Sequence, residues 1–129
     1  MDTIAQFLTR IRNAGTSRHE KVDVPASKLR QGIAEILADK GFIRSFKVAK
    51  DSKQGVMRVY LKYAETGDHA IENIQRVSRP GRRVYVKATD IPEVRSGTGM
   101  TIISTSQGLM SGTDAKEKNL GGELICKVW

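Results

Sequence analysis

Cysteine is nearly absent from this chain: Cys126 is the only one in 129 residues. A lone thiol excludes an internal disulfide framework and a multi-thiolate zinc site, and the expected compartment is the cytoplasm. Aromatic residues make up only 5%, so the core must be mostly aliphatic. No run approaches the ~20 apolar residues of a membrane span. The N-terminus opens on an acid and an amphipathic pattern, which argues against a signal peptide. There is no internal repeat and no low-complexity segment. The length fits one ordinary domain or two very small lobes. A lobe of ~60 residues buries only roughly 60% of its unfolded surface, so two such lobes would need to lean on each other or on a partner.

Catalytic chemistry is equally scarce. His19 and His69 lie in polar, loop-like stretches far apart, and both read as surface histidines. Cys126 sits in an apolar strand pattern with Ile125 and Val128, which favours a small buried hydrophobe over a nucleophile. Gly97-Thr98-Gly99 lacks the third glycine and the helix of a dinucleotide loop. Asp90 and Glu93 can share a helical face, but acid–base work also requires a cleft and a substrate. The expectation is a protein without catalytic residues, metal, cofactor or small-molecule substrate.

Positive charge is what the chain has in excess. Lys and Arg number 22 against 14 Asp and Glu, for a net charge of +8 and a pI near 9.9. Such a balance suits a polyanion, with nucleic acid the first candidate. A membrane surface would prefer one basic amphipathic helix with bulky apolar anchors. Residues 1–64 hold 13 basic and 6 acidic residues, and residues 65–129 hold 9 and 8. Within the second half, Arg76, Arg79, Arg82, Arg83 and Lys87 form an acid-free basic run. A run of this kind is as often a solvated face as a binding surface.

Apolar periodicity organises the rest. Ile4, Phe7, Leu8 and Ile11 predict a helix over 3–14, ended by Gly15. Val22 and Val24 mark a short strand over 21–25. Ser27 caps a second helix to Lys40, with Leu29, Ile33, Ile36 and Leu37 inward, and Gly41 ends it. Strands follow over 42–49 and 56–63, joined by a polar hairpin loop at Asp51–Gly55. Gly67 marks the lobe boundary, giving domains 1–66 and 67–129. Beyond it come an extended stretch over 71–78, a turn at Arg79–Arg82 and a strand over 83–87. A helical turn is expected within 90–97 and a strand over 100–104. A turn at Gln107–Gly108 precedes a short helix capped by Thr113, and the last strand covers 123–129. The fold class is α+β: an N-terminal α-β-α-β-β domain and a mostly-β C-terminal domain with one or two short helices.

One segment stands out, Ser104-Thr105-Ser106 followed by Gln107-Gly108-Leu109-Met110. Three successive hydroxyls close an apolar strand, and each both donates and accepts hydrogen bonds. That suits irregular RNA, although a turn that caps its own backbone uses the same residues.

Several ordered motifs then coincide: Leu8 to Asn13 (LTRIRN), Ser27-Lys28-Leu29, Gly41-Phe42-Ile43, Arg76 to Gly81 (RVSRPG), the hydroxyl segment with Gly108 and Met110, Leu120 to Glu123 (LGGE), and Cys126. Together they resemble the universal small-subunit ribosomal protein eight family in its bacterial form, along nearly the whole chain. The resemblance implies a cytoplasmic, ribosomal, two-domain α+β protein that binds the central domain of small-subunit rRNA early in assembly. It implies other small-subunit proteins as partners, and in some bacteria a similar stem of the protein's own operon mRNA, through which the family represses translation. It places the primary RNA site in the C-terminal domain, on Ser104, Thr105 and Ser106, on Gly121, Gly122 and Glu123, and on Arg79, Arg82, Arg83 and Tyr85. A second RNA-facing surface in the N-terminal domain would use Thr3, Arg10, Arg12, Asn13, Lys28 and Arg30. Gln107 stands where the family often has lysine or arginine, and Val86 to Thr89 is less basic than in many members. An RNA-binding repressor or assembly factor outside the ribosome would use the same chemistry.

Overall fold

The protein is described by a computed structural model covering residues 2–50 and 55–129. It is mixed α+β and divides into two compact units, Thr3–Glu72 and Asn73–Trp129, the latter including Asp2.

The first unit begins with α1 (Thr3–Thr16), whose buried face is Ile4, Phe7, Leu8, Ile11 and Ala14. Gly15 does not end this helix, as the sequence suggests, but lies inside it and is buried. A Cβ there would fall 2.0 Å from Nδ1 of His69. The chain turns away at Arg18, whose φ is 58°, while the His19 N–H donates to the Ala14 carbonyl at 2.9 Å. Strand β1 (Lys21–Pro25) leads to α2 (Lys28–Asp39), and Ser27 caps α2 by accepting from the Arg30 N–H at 3.1 Å.

The buried stripe of α2 is Arg30, Ile33, Ala34 and Leu37. Ile33 and Leu37 are inward as expected, while Arg30 and Ala34 complete the i, i+3, i+4, i+7 stripe in place of Leu29 and the half-buried Ile36. Leu29 is accordingly 38% exposed and Arg30 only 7%. Strands β2 (Ile43–Ala49) and β3 (Val56–Leu61) complete an antiparallel sheet of order β1-β3-β2. Residues 51–54 of the expected hairpin loop lie outside the described residues. Met57, Val59 and Leu61 alternate inward along β3.

Residues 64–72 stay with the first unit, so the division between units falls at Glu72 rather than at Gly67. The Ala70 N–H donates to the Lys62 carbonyl at 2.8 Å, and Tyr63 bridges to His69 with ring centroids 5.3 Å apart. His69 is therefore not a surface histidine. Its ring packs against Gly15, burial lowers its pKa, and Nε2 has no hydrogen-bond partner among the described residues.

The second unit is a five-stranded antiparallel sheet built from β4 (Ile74–Arg76), β5 (Tyr85–Val86), β6 (Met100–Thr105), β7 (Gly108–Ser111) and β8 (Gly122–Val128). Its main order is β4-β8-β6-β7, and β5 pairs further along β8. Between β5 and β6, two 3-10 turns, Ala88–Asp90 and Arg95–Gly97, replace the single turn expected, with Ile91 and Val94 buried between them. The short helix α3 (Gly112–Glu117) is capped by Ser111 rather than Thr113, because β7 runs directly into it. Ile91, Ile103, Met110, Ala115 and Leu124 form one apolar cluster beneath the sheet. Cys126 is fully buried in β8, and burial pushes its thiol up to about 12. A thiol held neutral in this way is no nucleophile at neutral pH.

Candidate nucleic-acid interface

Register in the second sheet gathers the C-terminal candidates. Glu123 of β8 faces Tyr85 of β5 on one side and Ser104 of β6 on the other, and Ser104 faces Leu109 of β7. Paired residues on neighbouring strands share a sheet face, so Tyr85, Glu123 and Ser104 form one row. Gly122 pairs with Val86 one step away. Residues some forty positions apart in sequence thus meet at one end of β8.

The two glycines explain how the strands close at this corner. A Cβ on Gly122 would lie 2.1 Å from the Ser104 carbonyl oxygen, and one on Gly121 would lie 2.5 Å from that of Val86. Both obstacles are backbone atoms, so only glycine fits without moving a strand.

Glu123 is held from two sides. Its Oε2 accepts from the Ser78 hydroxyl at 2.5 Å and from Arg83 Nη1 at 2.9 Å. Burial pushes this carboxyl up, but the Ser78 and Arg83 hydrogen bonds outweigh it, and the pKa ends below the ordinary 4.5. The Ser78 hydroxyl oxygen in turn accepts from the Val84 N–H at 3.1 Å. These contacts fix Glu123 beside the glycine corner. Pairing with Arg83 also offsets the repulsion that a carboxylate would exert on an approaching phosphate. Nothing in its residue type marks Ser78 in the sequence, where the arginines of the RVSRPG motif stand out by charge, yet it is fully buried beside Glu123.

The hydroxyl segment divides by role. Thr105 Oγ1 donates to the Gly108 carbonyl at 2.8 Å and accepts from the Gln107 N–H at 3.1 Å, so it fastens its own turn. Ser106 and Gln107 are exposed at the tip, while Ser104 is half-buried in the row with Glu123. Gly108 has φ of 105°, which the tight turn requires.

The basic turn projects outward. Arg79 and Arg82 exchange backbone hydrogen bonds at 3.1 and 2.9 Å, and both side chains are exposed, as are Arg83 and Lys87. Tyr85 is 70% exposed. Arg76 is withdrawn from the run: it is buried, bonded to Asp2 at 3.1 Å and to the Ile125 carbonyl at 2.9 Å.

The N-terminal candidates are less coherent. Thr3, Arg10, Arg12 and Asn13 are exposed on α1, and Lys28 is exposed at the start of α2. Arg10 donates to the Asp23 carbonyl at 2.8 Å and buried Arg30 to the Pro25 carbonyl at 3.0 Å. These two arginines line one cleft of about 430 Å³, with Phe7, Val24 and Pro25. Thr3, Arg12, Asn13 and Lys28 are not among its lining residues.

Among the described residues no group of three or more His, Cys, Asp or Glu could hold a metal ion, and no helix is long and apolar enough to cross a membrane. The chain matches the family model described as Ribosomal protein S8 over residues 2–129. A relative from Bdellovibrio bacteriovorus, named small ribosomal subunit protein uS8, is 73% identical over 129 residues and covers 100% of both chains. Relatives of the same name from Geotalea daltonii and Streptococcus thermophilus are each 53% identical over 128 residues, covering 99% of this chain and 97% of theirs.

Proposed function

The chain belongs to the ribosomal protein S8 family, and on that premise we propose that it is a primary rRNA-binding protein directed at the central domain of 16S rRNA. Membership makes it a structural constituent of the small ribosomal subunit, located with the ribosome in the cytoplasm and not an enzyme. The finer reading is ours: the C-terminal unit grips an irregular stem, helps direct assembly of the platform, and represses its own operon through a similar messenger stem.

One observation carries the reading. The Tyr85–Glu123–Ser104 row places an exposed aromatic, a neutralised acid and the base of a hydroxyl loop on one sheet face, beside an exposed arginine turn. Arg79, Arg82 and Arg83 suit phosphate through the two-donor fork of guanidinium. Ser104 and Ser106 suit base edges and 2′-hydroxyls. Tyr85 suits stacking on a base or ribose. Thr3, Arg10, Arg12, Asn13, Lys28 and Arg30 complete the proposal as a weaker second surface, in which Arg30 shapes the cleft from within.

The test is binding of the purified protein to a central-domain rRNA fragment across a salt series, with a scrambled RNA of equal length as control. Nanomolar binding with strong preference for the native fragment supports the reading. Equal, steeply salt-dependent binding to both would leave only a basic surface and overturn it.

A further inference from the structure

We propose that the outer face of the N-terminal sheet is a separate platform for single-stranded RNA, with one base stacked on Tyr60. This rests on the reading of the protein as an rRNA binder, but it uses none of the residues assigned above.

Strand register defines the face. Lys21 and Ser45 flank Tyr60 across the sheet, and Asp23 and Lys47 flank Arg58 one step along. These six side chains share one side because paired residues do, and because alternate residues along a strand do. On the opposite side Val24, Met57 and Val59 are buried. On the outer side Lys21, Asp23, Ser45, Lys47 and Arg58 are all exposed, and Tyr60 is half-buried. A sheet face left open in this way reads either as an ordinary solvated surface or as a docking site.

Charge and ring geometry favour docking of a polyanion. The face carries three cations and one acid. Asp23 is taken out of play by a two-pronged pair with Arg58, at 2.8 Å through Nε and 3.1 Å through Nη2. Lys47 Nζ lies over the Tyr60 ring, 6.0 Å from its centroid. A base taking that place over the ring displaces the flexible Lys47 ammonium toward the RNA backbone, where it and Lys21 on the opposite strand provide phosphate contacts beside the stack. An extended single strand fits better than a duplex, whose bases are already stacked on each other and cannot reach a ring. An acidic peptide would satisfy the cations but would leave the ring unused.

The experiment titrates the full chain with a fluorescent oligouridylate and, separately, with the central-domain stem fragment. Tyr60→Ala should weaken the oligouridylate roughly 5- to 150-fold, the span expected for one lost base–aromatic stack. It should leave the stem fragment within twofold. Tyr60→Phe, which retains the ring, should bind the oligomer like the parent and guards against a folding artefact. Lys21→Ala with Lys47→Ala should lower the salt slope for the oligomer by about 0.7 for each phosphate no longer neutralised. Asp23→Asn, which removes the negative charge and one of the two acceptors that hold Arg58, should tighten the oligomer. If the parent binds the stem fragment but not the oligomer, the platform fails while the rRNA reading stands. If it binds neither, the rRNA reading itself fails. Oligomer binding indifferent to Tyr60→Ala, or matched by polyglutamate with the same lysine dependence, would also overturn the platform.

Discussion

Gly122 is the residue on which the candidate site turns. Its missing Cβ lets β8 approach the Ser104 carbonyl, and the obstacle to any side chain there is backbone that cannot swing away. Gly122→Ala should therefore destabilise the fold by about 1–3 kcal/mol, the usual cost of overpacking. It should also weaken RNA binding by more than the equally conservative Ser106→Ala at the exposed tip. Thermal melts and binding isotherms on the same preparations separate the two effects. Replacing Ser104, Thr105 and Ser106 with alanine should weaken the stem fragment while leaving the salt slope unchanged, because no charge is removed. An unaltered affinity would remove the segment from the site. Glu123 adds an acid-side signature. Its lowered pKa means that its contribution to stability is complete above about pH 4.5 and is lost as pH falls below that, through the folded value. Glu123→Gln should flatten that part of the stability profile.

The elements carry a different kind of information. In α2, Ser27 supplies the cap and Arg30 begins the buried stripe. Reading that helix from the sequence put Leu29 inside, because leucine is the default buried residue and arginine the default exposed one. The exception holds because the Pro25 carbonyl takes the guanidinium, while Leu29 lies outside the stripe. Ser27→Ala should cost about 1 kcal/mol in thermal or denaturant unfolding, the typical value of a missing N-cap. In α1, Gly15 and His69 form a matched pair, since the ring occupies the space a side chain would need. Burial lowers the His69 pKa, so the unfolded chain takes up the proton first. Stability should be full above about pH 6.5 and should fall as pH drops from there toward the folded value. His69→Phe should remove that slope, and monitoring urea midpoints from pH 8 to 5 would check it.

At the scale of the whole molecule, net charge governs association with RNA. The excess of +8 predicts a steep dependence on salt, shared among arginines and lysines on several surfaces. Replacing Arg82 and Arg83 with alanine should lower the slope for the stem fragment by about 0.7–0.9 for each phosphate left without its cation. A slope equal to the parent's would take both out of the interface. Removing the charge should leave thermal stability nearly unchanged for Arg82, whose side chain is exposed, and lower it for Arg83, which also holds Glu123.

The fold class, nearly every element and the excess of basic charge were legible in the sequence, because apolar periodicity and charge are local properties that survive without neighbours. The family was legible too, in motifs such as RVSRPG and LGGE. What only the tertiary structure decided was which polar groups are occupied. Arg76 looked like part of a basic run and is spent on Asp2 and the Ile125 carbonyl, while buried Ser78 anchors the acid of the candidate site. His69 looked like a surface residue and fills the space beside Gly15. The physical reason is common to all three. A polar side chain's role depends on which partner the fold brings within hydrogen-bond or van der Waals reach, and these partners lie tens of residues away along the chain.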